Sequence, residues 1–156
     1  MKRIDIYTIK MVKESGKTYD LDKTFVSSHG DAARIAEAVF SLSEEPGEVF
    51  GILNLNTKNK IAGAHIVSRG SLNTTLIHPR ETFRQAILNN SASIILFHNH
   101  PSGDATPSRE DLEVTRRLVE AGRIIGIEVL DHVVIGDGGK YVSFREKGLM
   151  PTTYRD

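Results

Sequence analysis

Apolar positions along the chain alternate between helical and strand-like spacing. Ala32, Ile35, Ala36, Val39 and Phe40 recur at helical intervals behind Ser27-Ser28-His29-Gly30-Asp31, which offers several N-caps. A helix over 32–42 is predicted, ending before Pro46-Gly47. Residues 48–56 read as a strand, Thr57-Lys58-Asn59-Lys60 as a tight turn and 61–68 as the hairpin partner. Gly70, Ser71 and Asn73 mark a loop. Pro79 suits a first helical position, predicting a helix over 79–89 with Phe83, Ala86 and Ile87 inward. Residues 93–98 (Ser-Ile-Ile-Leu-Phe-His) form a continuous apolar run of strand length, the pattern of a strand buried on both faces. After a loop rich in Ser, Gly, Asp and Pro, a helix begins at Ser108, with Asp111, Val114, Thr115, Leu118, Ala121, Gly122 and Ile125 on one face. Residues 127–135 predict a further strand, which Asp137-Gly138-Gly139 turns into 140–144. At the N-terminus Ile4, Ile6, Thr8 and Met11 predict an opening strand, followed by a turn at Glu14-Ser15-Gly16-Lys17, within a strand-bearing extension over 1–26. Strands alternating with helices, together with two hairpins, predict an α/β fold: a mixed β-sheet flanked by helices in one domain over 1–156.

Composition narrows the chemistry. At 156 residues, 39% hydrophobic and 26% charged, the chain suits one core rather than two. It contains no cysteine, so disulfides, thiolate metal sites and cysteine nucleophiles are excluded, and any metal must sit on histidine and carboxylate. Twenty basic residues balance twenty acidic ones, whereas a protein that lives on the DNA backbone shows a basic excess. Arg109, Arg116 and Arg123 recur along the predicted helix, but Glu110, Glu113 and Glu120 are interleaved with them, as on a solvated, salt-bridged face. The start, Met1-Lys2-Arg3-Ile4-Asp5, has no apolar run behind it, and nothing approaches the roughly 18 apolar residues of a membrane span. A cytoplasmic protein without membrane contact is expected; the oligomeric state is not legible.

His98 and His100 are two apart at a strand end, so both imidazoles can project to one side. Alone this pair reads as ordinary surface histidine. Asp111 changes the balance, as the charged member of an otherwise apolar or small helix face: a carboxylate aimed at a core needs a partner, and a metal shared with two neutral histidines supplies one. Ser108 and Asp111 also fit a capping box, which needs no function; Ser108 can cap and still hydrogen-bond an oxyanion. A His, His, Asp site leaves one tetrahedral position open, where Zn²⁺ lowers the pKa of a water to roughly 7. Mn²⁺, Fe²⁺ or Co²⁺ would also be accepted. From periodicity alone Glu48 is a solvated strand-end residue. His65 and His78 read as surface or hydrogen-bonded structural residues. Asp131 and His132 lie mid-strand, where one faces the core and a carboxylate could orient a ligating imidazole from behind.

His98-Asn99-His100-Pro101, with Ser108 and Asp111, matches the complete His-x-His-x7-Ser-x2-Asp signature, so the chain resembles the JAMM (JAB/MPN) metallopeptidases. The longer His-Asn-His-Pro-Ser-Gly-Asp string, with Pro107-Ser108, Asp131-His132, Pro79-Arg80-Glu81 and Ser68-Arg69-Gly70, resembles the bacterial RadC branch over about 32–149. The resemblance implies the JAB/MPN, cytidine-deaminase-like architecture, a zinc on His98, His100 and Asp111, and a glutamate base. Pro46-x-Glu48-x-x-Gly51-x-Leu53 matches the segment that carries that glutamate, so the role falls to Glu48, with Ser108 steadying the oxyanion. The resemblance departs where RadC proteins carry an N-terminal helix-hairpin-helix region; the β-like first thirty residues do not fit one, which implies a bare catalytic domain. A zinc hydrolase acting on a peptide or isopeptide is the leading expectation. A DNA-directed hydrolase, suggested by the DNA-repair label of RadC, and a non-catalytic binding module are the alternatives. The letters His-Asn-His lend the former no support, and the intact residue set argues against the latter.

Overall fold

The longest apolar runs pair where both of their faces can be covered. The computed structural model describes residues 1–13, 16–70 and 77–152. Five strands, β1 (Val49–Leu55), β2 (Ile61–Arg69), β3 (Ser93–Asn99), β4 (Glu128–Ile135) and β5 (Tyr141–Ser143), form one mixed sheet in the order β2-β1-β3-β4-β5. Every residue of β1 and β3 is buried, which is why neither sequence alternates. β1 is antiparallel to both β2 and β3, β3 and β4 are parallel, and β5 returns antiparallel along β4. A parallel pair needs a long crossover, and the helix α3 (Arg109–Ile125) provides it.

The pleat sends alternate residues to two separate cores. Leu53, Leu55, Ile95, Phe97 and Val133 pack on one face against Ala32, Ile35 and Ala36 of α1 (His29–Phe40). Phe50, Ile52, Ile94, Leu96 and Val129 pack on the other against Phe83 and Ala86 of α2 (Pro79–Leu88) and Val114 and Leu118 of α3. The α/β expectation is met: among the described residues one open mixed sheet lies between three α-helices. The crossover has a consequence for chemistry, since the first turn of α3 is brought beside the end of β3.

Three local expectations fail. Residues 1–13 form no strand, and Ile4, Ile6 and Ile9 are 87%, 95% and 80% exposed. β-propensity makes a strand only where a neighbour takes up its hydrogen bonds and side chains. The 1–26 extension instead meets the sheet at its far end, where Phe25 bridges Lys60 and Ile61 N–H donates to Thr24 O at 2.8 Å. Ile87 points outward, 57% exposed, because α2 turns Thr82, Phe83 and Ala86 to the sheet. Ile125, in the last turn of α3, is 41% exposed where the helix runs past the sheet. The turn expected at Glu14 and Ser15 and the loop at Ser71 and Asn73 lie outside the described residues.

Gly51 shows how closely the central strands approach. A Cβ there would lie 2.4 Å from both His65 O and the Phe97 ring. Gly51→Ala is expected to destabilise the fold by roughly 1–3 kcal/mol, read as a lower urea midpoint. Gly47→Ala, where nothing lies within 4 Å, serves as the control and is expected to stay within about 0.5 kcal/mol. Equal midpoints would refute the packing argument.

Candidate metal centre

The end of β3 is flanked by Phe50 of β1 on one side and Val134 of β4 on the other at the level of His98. His98 is fully buried there, and His100 lies just past the strand on the same side. His98 Nε2 is 3.0 Å from Asp111 Oδ1, and His100 Nε2 is 3.0 Å from Asp111 Oδ2. The two Nε2 atoms are 2.9 Å apart. The His, His, Asp set expected from spacing is thus one cluster, with Asp111 only 1% exposed.

Asp111 reaches this position because α3 starts beside β3. The start is a full capping box: Asp111 N–H donates to Ser108 Oγ at 3.1 Å, and Ser108 N–H donates to Asp111 Oδ2 at 2.8 Å. Capping and site therefore share one carboxylate. Burial alone would raise the Asp111 pKa, but hydrogen bonds with His100 and His98 outweigh it and hold the carboxyl far below the usual range. His100 moves the other way: its bond to Asp111 raises its pKa against the opposing effect of burial.

Hydrogen bonds on the far side of each ring bear on the tautomer. His100 Nδ1 lies 2.8 Å from Asp104 O, and a carbonyl only accepts, so Nδ1 carries the proton and a neutral His100 presents its lone pair at Nε2. His98 Nδ1 lies 2.8 Å from His132 Nε2. Each Nε2 lies about 3 Å from the other and from one oxygen of a buried carboxylate, an arrangement that needs a shared cation, either a proton or a metal ion. Two imidazoles and a carboxylate form a donor set that a divalent ion such as Zn²⁺ accepts, with three protein ligands and one open position. The cluster fits a metal ion.

Glu48 precedes β1. Carrying the β1–β3 pairing two residues back from Phe50 opposite His98 sets Glu48 level with His100. Its negative charge contributes to the raised His100 pKa, and it lines a cleft with His100, Ser102, Ser108, Glu110 and Asp111. A larger cavity lies at the opposite end of β4, beside Gly126 and Glu128, away from this chemistry. Sequence reasoning missed the residue that holds the Glu48 segment in place. Asn99, 1% exposed, accepts from Val49 N–H at 2.7 Å and donates to Gly47 O at 3.1 Å and Leu42 O at 3.2 Å. Its signal was an amide between two histidines, aimed by alternation at the opposite face.

The pair behind the site resolves differently from expectation. Asp131 does not orient a ligating imidazole; its carboxylate accepts from His132 N–H, Arg145 N–H and the Ser143 hydroxyl at 2.7, 2.9 and 2.6 Å, tying β4 to β5. Neighbours on a strand face opposite ways, so His132 is the one behind His98. Burial pushes its pKa well down, in favour of the neutral ring. His65 accepts from the Asn89 side chain at 3.0 Å, and His78 caps α2 by accepting from Arg80 N–H at 3.0 Å, both structural as expected. Arg109 and Arg116 pair with Glu113 and Glu120 at 3.5 and 3.0 Å on the exposed face of α3.

Comparison with known proteins places these residues in a family context. A family model described as RadC-like JAB domain matches residues 26–149. A UPF0758 protein of Symbiobacterium thermophilum is 59% identical over 103 residues, 66% of this chain and 44% of that protein. A UPF0758 protein of Caldanaerobacter subterraneus is 62% identical over 101 residues, 65% of this chain and 43% of that one. A third, from Methanosarcina acetivorans, is 52% identical over 109 residues, 70% of this chain and 47% of that protein. The chain spans somewhat under half the length of these curated relatives. No helix among the described residues is long and apolar enough to cross a membrane.

The raised His100 pKa sets a pH dependence for the metal-free protein. A group whose folded pKa is raised stabilises the fold fully below its ordinary value, here 6.5, and loses that contribution as pH rises through the raised value. In an NMR titration of metal-free protein, His100 is expected to titrate above 6.5. In Asp111→Asn its midpoint is expected to fall, because the largest cause of the shift is gone and the opposing effect of burial remains. An identical midpoint in both proteins would refute the pairing.

Proposed function

The chain belongs to the RadC-like JAB domain family, and from that membership and the geometry of the cluster we propose a zinc-dependent hydrolase of the JAMM metallopeptidase type, acting on a peptide or isopeptide carbonyl. The observation that carries this reading is the convergence of His98 Nε2, His100 Nε2 and both Asp111 oxygens on one point, in a cleft that Glu48 lines. His98, His100 and Asp111 would hold the zinc ion, which when bound would supply a Lewis acid for the carbonyl and lower the pKa of a water towards neutrality.

The chain's own residues supply the rest. Glu48, level with His100 and not among the three converging ligands, takes the proton from the attacking water and passes it to the leaving nitrogen. Ser108 Oγ accepts from Asp111 N–H and so keeps its hydroxyl proton for the carbonyl oxygen as negative charge develops there. Asn99 steadies the Glu48 segment, leaving fewer conformations in which the carboxylate misses its target. The balanced charge and the paired arginines of α3 weigh against a DNA backbone as substrate. In this reading the protein works in the cytoplasm.

Zinc stoichiometry and turnover on peptide, isopeptide and DNA substrates test the assignment. Glu48→Gln is expected to keep its zinc while hydrolysis falls by roughly 10² or more, since proton transfer fails and no ligand is lost. Asp111→Asn is expected to lose zinc and turnover together. Glu81→Gln, on α2 beside Arg84, should change neither. Full activity in Glu48→Gln would mean that the base is another group. Duplex DNA should bind at roughly 10⁻⁴ M or weaker, and submicromolar binding with a steep salt slope would overturn the peptidase reading.

A further inference from the structure

Behind the histidines runs a line of buried polar groups that the proposed reaction does not use. Thr115, one turn beyond Asp111 on α3, is 1% exposed, and His132 on β4 is fully buried. Thr115 Oγ1 lies 2.6 Å from Asp111 O and 2.6 Å from His132 Nδ1, and His132 Nε2 lies 2.8 Å from His98 Nδ1. One chain of hydrogen bonds thus joins the backbone of the ligand on α3 to the imidazole on β3, through a residue of β4.

A cation at the point of convergence needs the lone pair of His98 Nε2, so the His98 proton sits on Nδ1 and is donated to His132 Nε2. His132 then carries its own proton on Nδ1 and donates it to Thr115 Oγ1. The single hydroxyl proton of Thr115 goes to Asp111 O, which can only accept. Every group in the chain is satisfied in that direction. In the reversed chain the Thr115 proton points at His132 Nδ1, and His98 carries its proton on Nε2, where it faces Asp111 and closes the ligand position.

We propose that Thr115 and His132 are positioning residues that lock His98 as its Nδ1–H tautomer and so set the affinity of the centre for a divalent cation. The inference rests on the metal-centre reading but not on any substrate. Partners that hold a ligating histidine by its second nitrogen typically change metal affinity by 10–100-fold when removed. Thr115 belongs to this set because His132, buried among Phe50, Phe144 and His98, needs a second partner to fix which of its nitrogens faces His98.

Zinc affinity of the chelator-stripped protein, measured by competition with a chromophoric chelator, tests this without a substrate. Thr115→Val keeps the shape and removes the hydroxyl, and His132→Phe keeps a ring and removes the acceptor. Both are expected to bind Zn²⁺ about ten- to a hundredfold more weakly, while Thr115→Ser stays near wild type. Nitrogen-15 NMR of the zinc-loaded wild type should show His132 protonated at Nδ1 and bare at Nε2, a readout that a merely space-filling role would not dictate. Wild type without zinc affinity would sink the metal-centre reading itself. Wild type that binds zinc while Thr115→Val and His132→Phe bind it equally well would overturn the relay alone, as would a zinc-loaded His132 protonated at Nε2. Should His132→Phe fail to fold, the Thr115→Val and Thr115→Ser pair still decides.

Discussion

Asp111 is a carboxylate taken out of water, and the arrangement around it follows from keeping that charge satisfied. One oxygen closes the first turn of α3 by accepting from Ser108 N–H, and both oxygens face imidazole nitrogens. The positive end of the helix dipole adds to the stabilisation of the anion. Because an unpaired buried charge is so costly, the position of Asp111 cannot drift without undoing the helix start, and the helix start cannot drift without moving the carboxylate. Local structure and site geometry are therefore enforced by the same few hydrogen bonds.

That coupling works only because of where α3 begins. A β3–α3–β4 crossover returns the chain antiparallel to the strands, so the first turn of the helix meets the carboxyl end of β3. β1 enters the same end from the other direction, which brings the residue ahead of it, Glu48, to the level of His100. Three elements distant in sequence deliver two carboxylates and two imidazoles to one mouth of the sheet. The apolar interior of β1 and β3 contributes by fixing the register: a one-residue slip would turn His98 to the α1 face and Phe97 to the α3 face.

Much of this was legible in the sequence. The continuous apolar run ending in His98 and the turn between β1 and β2 are borne out, as is the helical face carrying Asp111 except at Ile125. Elements whose formation depends on a partner were not legible. The alternation of Ile4 and Ile6 is sound strand chemistry without a strand to pair with, and Ile87 was misplaced because one helix turn offers several apolar candidates and the sheet selects among them. The roles of Asp131 and His132 depended on parity along β4, and an irregularity in the β3–β4 pairing opposite Leu130 shifts that parity. Asn99 and Thr115 act through contacts with residues far away in the chain, which periodicity within one element cannot reveal.

The polar groups at the mouth of the sheet also differ in what holds them. His98, Asp111, Thr115 and His132 stand on a strand or helix, are buried, and are joined by hydrogen bonds that lead from one to the next. Glu48 stands on a connection, half-buried, and its segment is held by the three bonds of the Asn99 amide to Leu42, Gly47 and Val49. A ligand set benefits from rigidity, because coordination geometry tolerates little displacement. In the proposed reaction Glu48 would have to face the attacking water and then the leaving nitrogen, which calls for a backbone held in place. In the role proposed for Glu48, a side-chain amide from between the two histidines fixes the backbone that carries it, so the strand bearing the histidines also sets where the glutamate enters the cleft.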